Sequence, residues 1–369
     1  MNSILNSFQQ SLIDREIKDI KRTLKSKSNL IDFYSNDYLG LAKNHELHHK
    51  ILSQYNQDIS LLFGSTGSRL ISGNSDYITT LENYIAKEHH YESALLFSSG
   101  YQANLGLFSA ILDRNNTLLV DENIHRSVHD GCRLSFSKKL KFKHNDLQHL
   151  EQLLQKVNGK CFVAVESLYS MNGDFAPLVE ICALVEQYNA ALIVDEAHAF
   201  GVFGHGLVHQ NNLQNRVLAT VITYGKALGI HGAAILTNQI TKDFLINFSS
   251  PFIYTTAMPD FHLTGLKIGY EFLKNQLQFK EKLHENISLF RNNDLPFSSD
   301  IQSPIQIIQF ENTNQLRKVQ KELEEDNMQT FAVFSPTVKA GEERLRICLH
   351  VFNQQEEIEK LIKILSQNV

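Results

Sequence analysis

The chain is poor in the residues that staple or punctuate a fold. Its 369 residues include only 4 cysteines and 6 prolines. Cys132, Cys161, Cys182 and Cys348 form no Cys-x-x-Cys pair, which excludes a disulfide miniprotein and a paired-thiol metal motif. Three lie in apolar stretches, where free Cys behaves as a small hydrophobe. All four read as reduced structural residues of a cytoplasmic protein. No apolar run approaches the length of about 18 residues that a membrane span needs, so no membrane partner is expected. Positive charge is not in excess either: 35 Lys and Arg against 40 Asp and Glu leave −5. Phosphate neutralisation needs a cationic surface, so nucleic acid is not an expected partner.

Several familiar signatures are also missing. The run Gly201-Val202-Phe203-Gly204-His205-Gly206 does not have GxGxxG spacing, and no such motif links a strand to a helix, which excludes a dinucleotide-binding reading. Asp195-Glu196-Ala197-His198 spells a helicase box, but that chemistry needs an upstream GxxxxGK[ST] loop and none exists. The 16 histidines show no HExxH or paired Cys/His spacing, so no metal is expected.

What remains is an ordinary globular composition, 43% apolar and 20% charged. At roughly 100–200 residues per domain, the length suits two or three domains. Residues 1–27 mix acids and bases from Asp14 onward without an apolar signal core. They read as an amphipathic helix in which Ile4, Leu5, Phe8, Leu12, Ile13, Ile17 and Ile20 recur at helical spacing. Five short apolar runs follow: Ala94–Phe97, Thr117–Val120, Cys161–Val165, Ala191–Val194 and Leu218–Thr223. Most are rich in β-branched residues, as strands buried on both faces should be. Between the third and fourth, Pro177 opens a helix with Leu178, Ile181, Cys182 and Val185 on one face. Such alternation predicts an α/β fold with a mostly parallel central sheet. After residue 260 the order changes to helix over 263–290, strand, helix, two strands and a last helix carrying Ile358, Leu361, Ile362 and Leu365. This divides the chain into an N-terminal helical arm (1–45), a large α/β domain (46–260) and a small α+β C-terminal domain (261–369).

Open parallel sheets bind ligands beyond the carboxyl ends of their strands. Ser98-Ser99-Gly100-Tyr101 after the first run opens a helix, where small residues and the helix dipole suit an anion. Asp121, His125 and Ser127 follow the second, and the polar loop Glu166–Asp174 follows the third. Asp195 and His198 follow the fourth. Lys226 follows the fifth, among small residues where desolvation would lower its pKa and make it a nucleophile able to form a Schiff base. An anion cradle, an acid and a lysine at successive strand ends are what pyridoxal 5′-phosphate asks for.

These stretches, with Ser35-Asn36-Asp37-Tyr38-Leu39-Gly40-Leu41, Gly64-Ser65-Thr66-Gly67-Ser68-Arg69, His144-Asn145-Asp146, Tyr254-Thr255-Thr256-Ala257-Met258-Pro259 and Pro336-Thr337-Val338, resemble the α-oxoamine synthases, pyridoxal-phosphate enzymes of fold type I. The resemblance runs from about Leu30 to the C-terminus. It implies decarboxylative condensation of an amino acid with an acyl-CoA or an acyl-carrier protein. Ser303-Pro304-Ile305-Gln306 and the run after Lys226 point to the member of biotin synthesis that joins L-alanine to a pimeloyl thioester, with sister synthases of glycine or serine as the alternative. It also implies roles. Lys226 would bond the cofactor and remove the Cα proton, and Asp195 would face the pyridinium nitrogen. His125 would stack on the ring. His198 and Ser170 would bond the phenolic oxygen. Ser99, Gly100, Tyr101 and Thr223 would hold the phosphate. Thr255 or Thr256 would reach the phosphate of a second subunit, making a homodimer with shared sites. Asn36 and Arg344, rather than Arg346 on the same strand face, would hold the amino-acid carboxylate.

Overall fold

The computed structural model describes residues 2–18, 20–24, 29–62, 64–335 and 337–368; Pro336 and positions 1, 19 and 25–27 of the stretch expected to be helical lie outside these, and the described helix ends at Ile17, short of Ile20. The central sheet has seven strands among the described residues: β1 (Ser93–Phe97), β2 (Thr117–Asp121), β3 (Lys138–Phe142), β4 (Cys161–Glu166), β5 (Ala191–Asp195), β6 (Ala219–Thr223) and β7 (Ala233–Thr237). Their order is β1-β7-β6-β5-β4-β2-β3, with β7 antiparallel to both its neighbours and the other pairs parallel. This is the mostly parallel α/β sheet the sequence predicts. Two strands go beyond that expectation. β3 is a charged edge strand, Lys-Lys-Leu-Lys-Phe, whose composition conceals it and whose lysines suit an edge that must not pair further. β7 emerges from the glycine-rich stretch after Lys226.

Both faces of the sheet are buried, which explains the continuous apolar runs. Ile193 faces one cluster with Val120, Val221, Ile235 and Phe108, while its neighbours Leu192 and Val194 face another with Leu119, Val163, Val165 and Ile181. Helices begin where a short polar side chain can take a free N–H. Ser99 caps the helix Gly100–Ile111 by accepting from Gln102 N at 3.2 Å.

Past residue 260 the chain forms helices Asp260–Lys274 and Leu277–Arg291, then an antiparallel three-stranded sheet of β8 (Ile305–Gln309), β9 (Phe331–Val333) and β10 (Arg344–Cys348) in the order β9-β10-β8. The helix Gln355–Ser366 buries Ile358, Leu361 and Leu365 against it. One apolar cluster runs unbroken from Phe33, Ile222 and Leu236 to Leu345, Ile347 and Leu361. The N-terminal helix Asn2–Ile17 forms, but Ile4, Leu5, Phe8, Leu12, Ile13 and Ile17 are all exposed on this single chain.

The two sheets meet at the loop after β4. Gly173 has φ of 66°, and its carbonyl accepts from Asp300 N at 3.0 Å. A Cβ there would lie 2.1 Å from Ile305 O. Gly173→Ala should therefore lower unfolding free energy by at least about 1–2 kcal/mol, the usual cost of the left-handed conformation. Urea denaturation measures this, and an unchanged midpoint would contradict it.

Candidate active site

Parallel pairing puts the carboxyl ends of β4, β5 and β6 side by side. Glu166 and Asp195, the last residues of β4 and β5, are register partners. Asp195 Oδ2 accepts from Asn104 Nδ2 at 2.7 Å, and its Oδ1 from Ala197 N at 2.9 Å. Asn104 Nδ2 also donates to Ser127 Oγ at 3.0 Å. Ser127 Oγ lies 2.8 Å from His125 Nδ1, which also accepts from Ser127 N, so Ser127 orients the ring through that one nitrogen. Lys226 stands three residues beyond β6. Burial pushes its ammonium down, against the opposing pull of Asp195 and Glu166. Burial, and then the neighbouring Asp195 charge, pushes Glu166 up to about 8.

His198 is buried, and Tyr38 OH lies 2.6 Å from its Nδ1. Burial, followed by the cations Lys226 and Arg346, holds this imidazole neutral. Burial likewise lowers His125, although Asp195 pulls the other way. Among cations and carboxylates, these two histidines are neutral hydrogen-bonding groups rather than charges.

Asp195, His198, His125, Lys226, Ser170 and Asn36 thus surround one cleft. At its floor, Gly100 opens the helix Gly100–Ile111 against Thr223, the last residue of β6. A Cβ on Gly100 would sit 2.2 Å from Thr223 Oγ1. Glycine keeps open the place where the unpaired N–H groups of the first helical turn and the Thr223 hydroxyl converge. Tyr101 turns its ring outward, with its OH donating to Asp130 at 2.7 Å, leaving its backbone at the helix start. Thr255 and Thr256 lie near the surface and border a small cleft with Ser98 and Gln102, next to Ser99.

The arginine expectation needs correction. Arg346, not Arg344, faces the cleft. Arg346 Nε donates to Ser170 O at 2.7 Å and its Nη2 to Asn36 Oδ1 at 2.9 Å. Its charge also acts on Lys226. Arg344 is occupied one loop away, donating to Glu342 O at 2.8 Å and to Asn172 Oδ1 at 3.2 Å, and pairing with the Glu342 carboxylate at 3.3 Å. Strand alternation puts both on one face, and only the docking of the loop 169–174 separates their roles.

Sequence reasoning assigned no role to Glu166, Asn104, Ser127 or Tyr38. A carboxylate as the last residue of a buried strand was a usable signal for Glu166. Asn104 and Tyr38 carried none beyond their place in the motifs. Glu196 of the Asp-Glu-Ala-His run points away: its Oε1 accepts from Val208 N at 2.9 Å, and a Cβ at Gly206 would collide with it.

The donor set fits pyridoxal 5′-phosphate: an anion cradle at Gly100 and Thr223, a carboxylate for a ring nitrogen, neutral imidazoles and a lysine amine. Because burial lowers its pKa, Lys226 should react at a lower pH than exposed lysines. Borohydride trapping with pyridoxal 5′-phosphate near pH 8 should label the peptide containing residue 226, and Lys226→Ala should lose the label. Labelling confined to another peptide would refute the assignment.

The family model described as aminotransferase class I and II matches residues 28–365. An 8-amino-7-oxononanoate synthase of Emericella nidulans is 37% identical, covering 98% of this chain and 95% of its own length. A putative one of Haemophilus influenzae is 36% identical, over 93% and 92%. Among solved structures, 8-amino-7-oxononanoate synthase of Francisella tularensis superimposes with a TM-score of 0.78 at 31% identity, over 92% of this chain and 98% of that one. Serine palmitoyltransferase of Sphingomonas wittichii gives 0.85 at 25% identity, over 92% and 87%.

Proposed function

Because the chain belongs to the aminotransferase class I and II family, we propose that it is a pyridoxal-phosphate enzyme of fold type I that condenses L-alanine with a pimeloyl thioester, giving 8-amino-7-oxononanoate, CO₂ and free thiol. The observation that carries this is the cleft in which Lys226, Asp195, His198, His125 and Arg346 converge. The near-full-length likeness to 8-amino-7-oxononanoate synthases selects the substrates. Serine palmitoyltransferases share the fold, so a serine-using sister reaction is the second reading.

When bound, pyridoxal 5′-phosphate supplies an electron sink for negative charge at the amino-acid Cα. Asp195, oriented by Asn104 and Ala197 N, holds a proton at the ring nitrogen. His125 would cover one face of the ring, and neutral His198, fixed by Tyr38, would offer its free nitrogen to the phenolic oxygen together with Ser170. Ser99, Gly100, Tyr101 and Thr223 would hold the phosphate. Lys226, deprotonated at low cost because it is desolvated, takes the Cα proton. Arg346 and Asn36 grip the substrate carboxylate, and the guanidinium fork orients it as well as neutralising it. The Cα carbon then bonds to the thioester carbonyl, the thiolate leaves, CO₂ is lost and Lys226 returns the proton.

Thr255 or Thr256 reaches the phosphate site of a second copy, so the working unit is a homodimer; the exposed apolar side chains of the N-terminal helix support an arm that needs a partner. No helix among the described residues is long and apolar enough to cross a membrane. The four cysteines are free and buried. They fit a reducing compartment, and the cytoplasm is the proposed location.

Thiol release measured over a matrix of amino acids and acyl-CoAs tests the function: L-alanine with pimeloyl-CoA should lead, and preference for serine with a long acyl chain would favour the sister reaction. Arg346→Lys should raise the KM for L-alanine roughly 10-fold or more while leaving the cofactor spectrum intact, since Lys cannot copy a bidentate fork. Arg344→Lys should do much less, and steady-state kinetics in the reverse order would return the anchor to Arg344.

A further inference from the structure

His144 lies outside the cleft, held between two carboxylates that the mechanism does not use. Its Nδ1 is 2.9 Å from Asp121 Oδ1 at the end of β2, and its Nε2 is 2.6 Å from Asp174 Oδ2 in the loop after β4. A neutral imidazole has one N–H, so it would turn a lone pair toward a carboxylate at one of these contacts. With both carboxyl groups ionised, the two contacts are satisfied together only by an imidazolium. Tyr169 meets the ring edge-on, with centroids 4.5 Å apart.

The two carboxylates differ in what holds them. Asp121 is fully buried and fixed, its Oδ1 accepting from Asn123 N and its Oδ2 from Asn145 N, both at 2.9 Å. Asp174 is part-exposed and belongs to a tight loop closed by Tyr169 N to Asp174 O and Gly173 N to Tyr169 O, both 2.9 Å. That loop presents Ser170 O to Arg346 and Asn172 Oδ1 to Arg344. A rigid anchor, a cation and a loop therefore connect the large sheet to the arginine on β10.

We propose that His144 is a positioning residue: braced as a cation between Asp121 and Asp174, it fixes the loop 169–174 and, through the Ser170 carbonyl, aims Arg346 at the amino-acid carboxylate. This rests on the function proposed above. The surrounding charges are consistent with it. Glu122 accepts from His144 N at 3.3 Å and pairs with Lys339 at 2.9 Å, and Arg344 acts on Asp174 from β10. Lys143 and His149 engage each other, through Lys143 N, rather than the ring. Burial alone would lower His144, but its hydrogen bonds to Asp121 and Asp174 outweigh it and raise the group to about 10. A raised folded pKa means that the clamp is complete below the free-imidazole value and is lost as pH rises through about 10. It is intact across the neutral range.

The experiment is an L-alanine titration of the holoenzyme, followed by cofactor absorbance, with kcat measured alongside. His144→Gln should weaken L-alanine binding roughly 10-fold or more, as misplacement of a positioning group does, while kcat changes less than about threefold and the cofactor spectrum stays as in the native enzyme. Asp174→Asn, on a part-exposed loop and so less exposed to folding failure, should do the same. The double variant should match either single one, since both break one unit. A merely structural His144 would lower the melting temperature without moving the L-alanine Kd. Unchanged Kd in Asp174→Asn, or additive losses in the double variant, overturns the clamp. If the native holoenzyme answers no amino acid, the functional proposal itself fails and the clamp with it; if it answers and the variants answer equally, only the clamp fails.

Discussion

A lysine amine withdrawn from water needs opposite charge nearby, and Lys226 finds it first in Asp195 at the end of the neighbouring strand β5, with Glu166 one strand further on β4. Because β4, β5 and β6 are parallel and paired in register, Glu166 and Asp195 end at one level, opposite Val221 of β6, just before the turn that carries Lys226. Desolvation favours the neutral amine, and the carboxylates oppose it. This balance leaves Lys226 able both to bond and to carry a proton. It also governs the histidines. Buried beside Lys226 and Arg346, His198 has no room for a further positive charge, so it serves as a neutral partner held by Tyr38.

Arg346 is held by a different part of the fold from Lys226 and its carboxylates. Arg346 comes from β10 of the small sheet, where it alternates with the buried apolar residues Leu345 and Ile347. Its aim depends on contacts with two other segments, the Ser170 carbonyl and the Asn36 amide oxygen. The loop that provides Ser170 is seated against β8 at Gly173, where no side chain fits. The aim of Arg346 is therefore sensitive to how the two sheets sit on one another, whereas the lysine and its carboxylates belong to one sheet.

The large sheet was legible because strands buried on both faces are largely apolar, and six of its seven strands carry that mark, although the short run of β7 was not singled out. β3 escaped because an edge strand is selected for charge rather than burial. Lys226, Asp195, His198 and His125 were legible because parallel topology sends every strand end to one rim, so the residues after each apolar run are candidates by position alone. Glu166 stood at the same rim, and its place as the last residue of a buried strand was the one local sign that it is not a solvated carboxylate. Arg344 and Arg346 share a strand face at a spacing of two, and no property of that segment separates them.

Local chemistry, then, set the elements and the list of groups at the rim: periodic burial makes the strands, small polar residues start the helices, and strand polarity orders the ends. Only the tertiary structure decided which groups meet. The packing of the small sheet on the loop 169–174 directed Arg346 rather than Arg344 to the cleft. The junction of β2, His144 and Asp174 made an apparently unremarkable histidine a bridging cation. The physical reason is range. Helix and strand patterns are read within a few residues, whereas the electrostatic environment of Lys226 is made by Asp195, Glu166 and Arg346, which lie 31, 60 and 120 positions away in the chain.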